Sequence, residues 1–262
     1  MGKGPAHILR HAVPAKGTAV ESIQVEETAF ELSTTFRVLR ELSEKVTAAR
    51  RASCFPLVLA GGCVSSVGTL SGLNSSELCV IWLDAHGDFN TPDTTVSGFI
   101  DGMALGMVAG RCWRNLTSSI AGFLPVPERN VVLIGARDLD PEERCLLDAS
   151  EITRIDTETI RSLGAARAVG DALGKIKPEQ VYLHIDLDVL DRAEACVNEL
   201  STSGGLTVAE LLEIVHAVSG KRSIVAAAIT AYDPACDKDG KGVRAATTLL
   251  YELQALPCIA AR

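Results

Sequence analysis

The chain has 262 residues, 47% hydrophobic and 22% charged, enough to bury one large core. A formal net charge of −8 excludes the basic surface that nucleic acid or an anionic membrane would require. No apolar run reaches the roughly 18 residues of a membrane span, and Met1–His7 lacks the apolar core of a signal peptide, so a soluble, cytoplasmic protein is expected.

Short apolar runs alternate with longer amphipathic stretches. In chain order the pattern predicts a helix over 22–49, a strand over 56–60, a helix over 64–73 and a strand over 79–83. There follow a helix over 102–109, a strand over 131–135, a helix over 141–150 and a strand over 152–156. Helices over 157–163 and 165–176, a strand over 181–188, a helix over 207–218, a strand over 224–230 and a helix over 243–253 complete the series. Pro141 suits a first helical turn, with Glu142 and Glu143 at the positive end of the helix dipole. Thr207 with Glu210 three residues on is a capping-box signature. Several strands are apolar throughout, as in a sheet covered on both faces. The expectation is a single α/β domain over 1–262, a three-layer α-β-α stack around a mainly parallel sheet.

Eight cysteines (Cys54, Cys63, Cys79, Cys112, Cys145, Cys196, Cys236 and Cys258) are scattered with no C-x-x-C pair. That spacing predicts neither a disulfide framework nor a zinc knuckle, but reduced thiols packed as small hydrophobes. Cys63 is the candidate exception.

Chemistry in such sheets collects where the carboxyl ends of strands open into loops. Two strands end in acidic clusters: Ile81–Pro92 reads I-W-L-D-A-H-G-D-F-N-T-P, and Tyr182–Asp191 reads Y-L-H-I-D-L-D-V-L-D. If the first is extended, Asp84, His86 and Asp88 project from one face with about 6–7 Å between successive side chains. His184, Asp186 and Asp188 do the same on the second. Four carboxylates brought together need a compensating charge, and one or two divalent cations supply it. Oxygen-rich ligands with imidazole suit Mn²⁺ ahead of Zn²⁺, Co²⁺ or Fe²⁺. His184 either supports a ligand from behind or packs as a core histidine satisfied by a backbone carbonyl.

These residues resemble the arginase (ureohydrolase) family, which hydrolyses guanidino compounds at a two-manganese centre. Asp84–Pro92 resembles its D-A-H-x-D-x-N-T-P motif, and Ile185–Asp191 its x-D-x-D-x-x-D motif. Gly135–Pro141 resembles G-x-R-D-x-D-P, and Leu59–Leu70 aligns without a gap to L-G-G-D-H-S-x-x-x-G-T-L. The resemblance implies that Asp84, His86, Asp88, Asp186 and Asp188 are metal ligands, with Asp84 and Asp186 bridging two Mn²⁺ ions. It implies that a water shared by the ions loses a proton, is oriented by Asp88 and adds to the guanidino carbon, expelling an amine and releasing urea or a substituted urea. Asn90, Ser97 and Asp140 stand where the family holds the amino-acid end of its substrate. Trimers or hexamers are a further implication.

Four positions depart from the family pattern. Cys63 replaces the sixth ligand, a histidine; it is either a soft thiolate ligand, which prefers Zn²⁺ or Fe²⁺ to Mn²⁺, or a packed thiol. Asp101 replaces a histidine used in proton transfer, a task a carboxylate performs only with a raised pKa. Phe99 replaces an amide that contacts the substrate carboxylate. Ala231 replaces a glutamate that grips the guanidinium, a loss of about 2–3 kcal/mol for arginine. The expected activity is therefore hydrolysis of a linear amidine or guanidino C–N bond in a substrate other than plain arginine. The alternative is a catalytically degenerate member that binds or regulates. One branch of the family acts on N-hydroxyarginine and also has cysteine at the histidine-ligand position. A further expectation concerns Met1–Pro5, which resembles a segment that follows a first strand in the family, so the sheet is expected to lack that strand.

Overall fold

The structure, a computed structural model, describes residues 1–26 and 28–256. Among the described residues six strands form one sheet: β1 (Leu57–Leu59), β2 (Leu78–Leu83), β3 (Val131–Ile134), β4 (Thr153–Ile155), β5 (Gln180–Asp186) and β6 (Ser223–Thr230). Every pairing is parallel and the spatial order is β1-β6-β5-β2-β3-β4. All six coincide with the predicted apolar runs to within a few residues. Every residue of β2 is buried, and so are Val181–Asp186 of β5, which explains why these central strands read as unbroken rather than alternating.

The helices are α1 (Gly4–His11), α2 (Glu31–Arg51), α3 (Ser65–Leu73), α4 (Ala104–Val108), α5 (Arg114–Thr117), α6 (Pro141–Asp148), α7 (Thr157–Leu163), α8 (Ala165–Leu173), α9 (Val208–Ser219) and α10 (Lys241–Ala255). One face of the sheet, with Ile81, Leu83, Leu183 and Ile185, packs against Ile8, Ile160, Val169, Leu211 and Leu249 from α1 and α7–α10. The other, with Val80, Trp82 and Tyr182, packs against Leu39, Val67 and Leu105 from α2–α4. Three layers result, with two separate apolar cores. Each fully buried Leu or Ile in them stabilises the fold by about 1.5–3 kcal/mol.

The local signals behave as their chemistry requires. Pro141 opens α6, and Thr207 and Glu210 exchange both bonds of the capping box at α9. Two helix expectations need correction. The helix expected from residue 22 begins only at Glu31. Thr28 competes with it: its hydroxyl donates to Phe30 O at 2.8 Å, and its N–H donates to Thr34 Oγ1 at 2.9 Å. The segment over 102–109 enters through a 3-10 turn, Asp101–Met103, before α4. Helix α1 lies outside the predicted elements; it buries only Gly4 and Ile8, too little for a legible period.

Strand order places the chemistry. From β2 the chain moves outward through β3 and β4, and from β5 it moves the other way to β6. The crevice beyond the carboxyl ends of β2 and β5 is thus a topological switch point, the usual ligand position in an open parallel sheet. β1 is an edge strand, with β6 as its only strand neighbour among the described residues.

Candidate metal centre

Asp84 follows the last residue of β2 and Asp186 is the last residue of β5, on neighbouring strands in register at Leu83 and Ile185. Both strand ends turn by the same local device. Asp84 Oδ1 accepts the His86 N–H at 2.8 Å, and Asp186 Oδ1 accepts the Asp188 N–H at 2.8 Å. The extended geometry expected for Asp84–Asp88 is therefore incorrect. The strand stops at Leu83, and Asp88 sits at φ +50°, in left-handed backbone. Asp188 likewise belongs to a 3-10 turn, Leu187–Val189. Turns, not pleat, gather these side chains.

His86 Nδ1 lies 3.2 Å from Asp84 Oδ1 and 3.5 Å from Asp188 Oδ2. Cys63, delivered by the loop between β1 and α3, places Sγ 2.8 Å from Asp186 Oδ2 and 3.9 Å from Asp84 Oδ2. Ligand atoms of Asp84, His86 and Asp188 lie within 4.8 Å of one another, and so do those of Cys63, Asp84 and His184. Asp88 is buried, and its Oδ2 has no hydrogen-bond partner.

The electrostatics fit a cation centre. Burial pushes the Cys63 thiol well above its ordinary range, with Asp186, Asp88 and Asp84 adding to the effect. Burial also raises Asp84, and it raises Asp88 and Asp186 far more, each reinforced by neighbouring carboxylates. Asp188 is the exception: burial opposes its charge, but His86 and Asn198 hold it below the usual carboxylate range. Burial likewise opposes charge on His86, yet bonds to Asp188 and Asp84 push it up to about 12. With protein groups alone, the cluster balances its charge by holding protons. Divalent cations would displace those protons and use the unpaired Asp88 oxygen, so the donor set fits them.

The remaining predicted residues fall in three places. Asn90 and Asp140 meet: Asn90 Nδ2 donates to Asp140 Oδ2 at 3.0 Å. Ser97 lies on an exposed loop, where its Oγ accepts the Phe99 N–H at 3.2 Å, and no hydrogen bond joins it to Asn90 or Asp140. Asp101 accepts the Val64 N–H at 2.9 Å, at the start of α3, and burial raises its pKa. Gly62 admits it, because a Cβ there would collide with the Asp101 carboxylate. Ala231 is buried at φ +62° and Phe99 is exposed.

His184 is fully buried, as in the core alternative, but it has no backbone-carbonyl partner among the described residues. Nδ1 meets Ser66 Oγ at 2.9 Å and Tyr182 Oη at 3.4 Å, and Nε2 lies 3.4 Å from Thr230 Oγ1. Its ring stacks on Trp82 with centroids 3.7 Å apart.

Several positioning residues had no legible signal in sequence. Trp82 Nε1 donates to Asp84 Oδ2 at 3.1 Å. Asn198 Nδ2 donates to Asp188 Oδ2 at 3.0 Å and to Ala231 O at 2.9 Å. Glu143 Oε1 accepts the Phe89 N–H at 2.9 Å and so braces the Asp84–Asn90 loop. Arg137, inside the G-x-R-D stretch, donates to the carbonyls of Asp188, Leu190 and Thr202. Glu143, Arg137 and Trp82 lay in or beside a recognised motif, though nothing marked their roles; Asn198 lay in none.

The sequence profile described as "Arginase family" matches residues 4–255. The chain belongs to the arginase family. It is 35% identical to the arginase of Brevibacillus brevis over 214 residues, 80% of this chain and 70% of that one. It is 31% identical to the arginase of Bacillus subtilis over 237 residues, 89% of this chain and 80% of the relative. Among solved structures, the arginase from Bacillus cereus superposes with a TM-score of 0.87 at 29% identity, covering 97% of this chain and 92% of that one. The agmatine ureohydrolase of Thermoplasma volcanium, at 19% identity and a TM-score of 0.62 over 88% of this chain and 71% of its own, shares the fold. Membership in the arginase family carries a general chemistry, metal-dependent hydrolysis of guanidino C–N bonds. Among the described residues, no cysteines are disulfide-linked and no helix is long and apolar enough to cross a membrane. Cys258 lies outside the described residues.

Proposed function

We infer that this arginase-family protein hydrolyses the C–N bond of a modified arginine or another small guanidino or amidino compound, with plain arginine a poor substrate. The observation that carries this is Ala231. A methyl group stands where the family pattern has a carboxylate, and Asn198 ties its carbonyl in place.

In this proposal Asp84 and Asp186, the carboxylates that the resemblance assigns to both ions, would hold a pair of divalent ions, Mn²⁺ foremost, together with Cys63, His86, Asp88 and Asp188. The ions, when bound, supply a water acidified to near-neutral pKa and Lewis-acid polarisation. The chain's own residues do the rest. Asp88, besides helping to hold an ion, would orient the attacking water. Asp140 and Asn90, already joined, receive the α-amino and carboxylate end of the substrate, with Ser97 at the mouth. Asp101, its pKa raised by burial, carries a proton to the departing amine. A cytoplasmic setting, one domain over 1–262 and a homo-oligomer, trimer or hexamer, complete the proposal. The scattered, unpaired cysteines support the first of these.

A second reading has an observation of its own. The short Cys63–Asp186 contact satisfies two buried groups without a cation, as a degenerate binding or regulatory protein would. A screen for release of urea or a substituted urea from guanidino compounds, including N-hydroxyarginine (which would give N-hydroxyurea) and arginine, after Mn²⁺ loading separates the two. Release faster from a modified guanidino compound than from arginine is expected. Arginine as the best substrate would overturn the substrate assignment. No urea-type product together with no bound metal would favour the degenerate reading.

A further inference from the structure

Two triads of ligand atoms share Asp84 yet differ in chemistry. Asp84, His86 and Asp188 offer oxygen and one imidazole; Cys63, Asp84 and His184 offer sulfur, oxygen and another imidazole. We propose that Cys63, Asp84 and His184 form a zinc-selective site beside a manganese site at Asp84, His86 and Asp188, so that the centre is heterometallic and His184 on β5 supplies the imidazole that position 63 lacks. The inference rests on the metal-dependent function above.

Geometry carries it. Zinc bonds of about 2.3 Å to sulfur and 2.0–2.1 Å to nitrogen or oxygen place tetrahedral ligand atoms about 3.5 Å apart. The Cys63–Asp84 separation is already 3.9 Å, and all three ligand atoms fall within 4.8 Å, so closing the site needs movements of about 1 Å or less. His184 is arranged as ligating histidines are. Its Nδ1 is engaged by Ser66 Oγ at 2.9 Å, which fixes the ring. Nε2 keeps only a 3.4 Å contact to Thr230 Oγ1, which itself lies 3.3 Å from Cys63 Sγ. Trp82 orients two ligands at once, stacking on the His184 ring and donating Nε1 to Asp84 Oδ2. Asp186 Oδ2, 2.8 Å from Cys63 Sγ, stands at the fourth position, and the thiolate–imidazole set is softer than the oxygen-rich triad, which favours Zn²⁺ over Mn²⁺. Binding converts the Cys63 thiol to thiolate, and its proton leaves to solvent.

The full chain, stripped with chelator, is loaded with one equivalent of Zn²⁺ and studied by X-ray absorption at the zinc edge, with metal analysis after excess Mn²⁺. The expected spectrum shows one sulfur scatterer at about 2.3 Å together with imidazole scattering, and zinc stays bound while one equivalent of Mn²⁺ is added. The imidazole is assigned by comparison with His184→Ala, since an imidazole from His86 would survive that substitution and overturn the proposal. His184→Ala is expected to lose the imidazole signal and weaken zinc by about 10-fold or more, while the Mn²⁺ equivalent remains. Sulfur without imidazole, imidazole without sulfur, or zinc fully displaced by Mn²⁺ would overturn the proposal, and the wild-type spectrum decides this even if the variant misfolds. Two Mn²⁺ ions bound with urea release but no zinc preference would defeat this inference alone. A protein that binds neither metal would defeat the metal-dependent function beneath it.

Discussion

The Cys63 thiol donates to Asp186 Oδ2 across 2.8 Å, joining the loop after β1 to the last residue of β5. The contact places a soft, protonated group against the carboxylate proposed to bridge two metals. Replacing it tests what the cysteine does there. Cys63→His is expected to raise Mn²⁺ content and to strengthen turnover of plain guanidino substrates, read by metal analysis and steady-state kinetics. Because the site is buried, the larger ring should lower metal-free stability by about 1–3 kcal/mol. Unchanged stoichiometry and kinetics would show that Cys63 stands outside the working site.

Asp186 is the more severe test. Asp186→Ala removes the proposed shared ligand, and urea release should fall by more than about 100-fold, since even residues behind ligands cost 10–100-fold. Thermal melting of the metal-free protein should also fall, because the Asp188 N–H and the Cys63 thiol lose their buried acceptor, at a cost of about 1–3 kcal/mol. Retained activity would remove Asp186 from the bridging role.

Asn198 ties Asp188 to Ala231, through bonds of 3.0 and 2.9 Å. Asn198→Ala leaves both acceptors without this donor and should cost about 1–3 kcal/mol in denaturant unfolding. Metal affinity should drop by about 10–100-fold. A stability loss with unaltered metal titration would make Asn198 a purely structural residue.

Two substitutions at Asp101 separate packing from proton transfer. Asp101→Asn keeps an oxygen for the Val64 N–H, so melting temperature should hold while kcat collapses. Asp101→Ala also loses that bond at the start of α3, at a further cost of about 1 kcal/mol. If Asp101→Asn retains full kcat, the carboxylate only braces the Cys63 turn.

Glu143 sets a pH dependence. Burial pushes its carboxyl up to about 7 from the ordinary 4.5, so the folded metal-free protein holds this proton more tightly than the unfolded chain. Stability from this group is complete at low pH and is lost as pH rises towards and through 7, a change of about 3 kcal/mol. Glu143→Gln, which still accepts the Phe89 N–H, should match wild type near pH 4.5 and exceed it at pH 8. Parallel melting curves across that range would refute the assignment.

The fold was largely legible because its signals are local. β2 and β5 are apolar along their length, the turns between elements carry Gly, Pro and Asp, and capping at Thr207 involves residues three apart. The acidic clusters after β2 and in β5 were visible for the same reason. The start of α2 was misplaced because Thr28 bonds Phe30 and Thr34 in preference to joining the helix.

By itself the sequence determined six strands, their helical partners and two acidic strand ends, all of which depend on neighbours within a few residues. Tertiary structure alone decided that Cys63 meets a carboxylate 123 positions away, that Asp88 turns inward with an unpaired oxygen, and that His184 finds Ser66, Thr230 and Trp82 instead of a backbone carbonyl. These contacts follow from placing β2 beside β5 at the switch point. Strand order is fixed by packing the whole sheet against two helical layers, so no local stretch of chain encodes it.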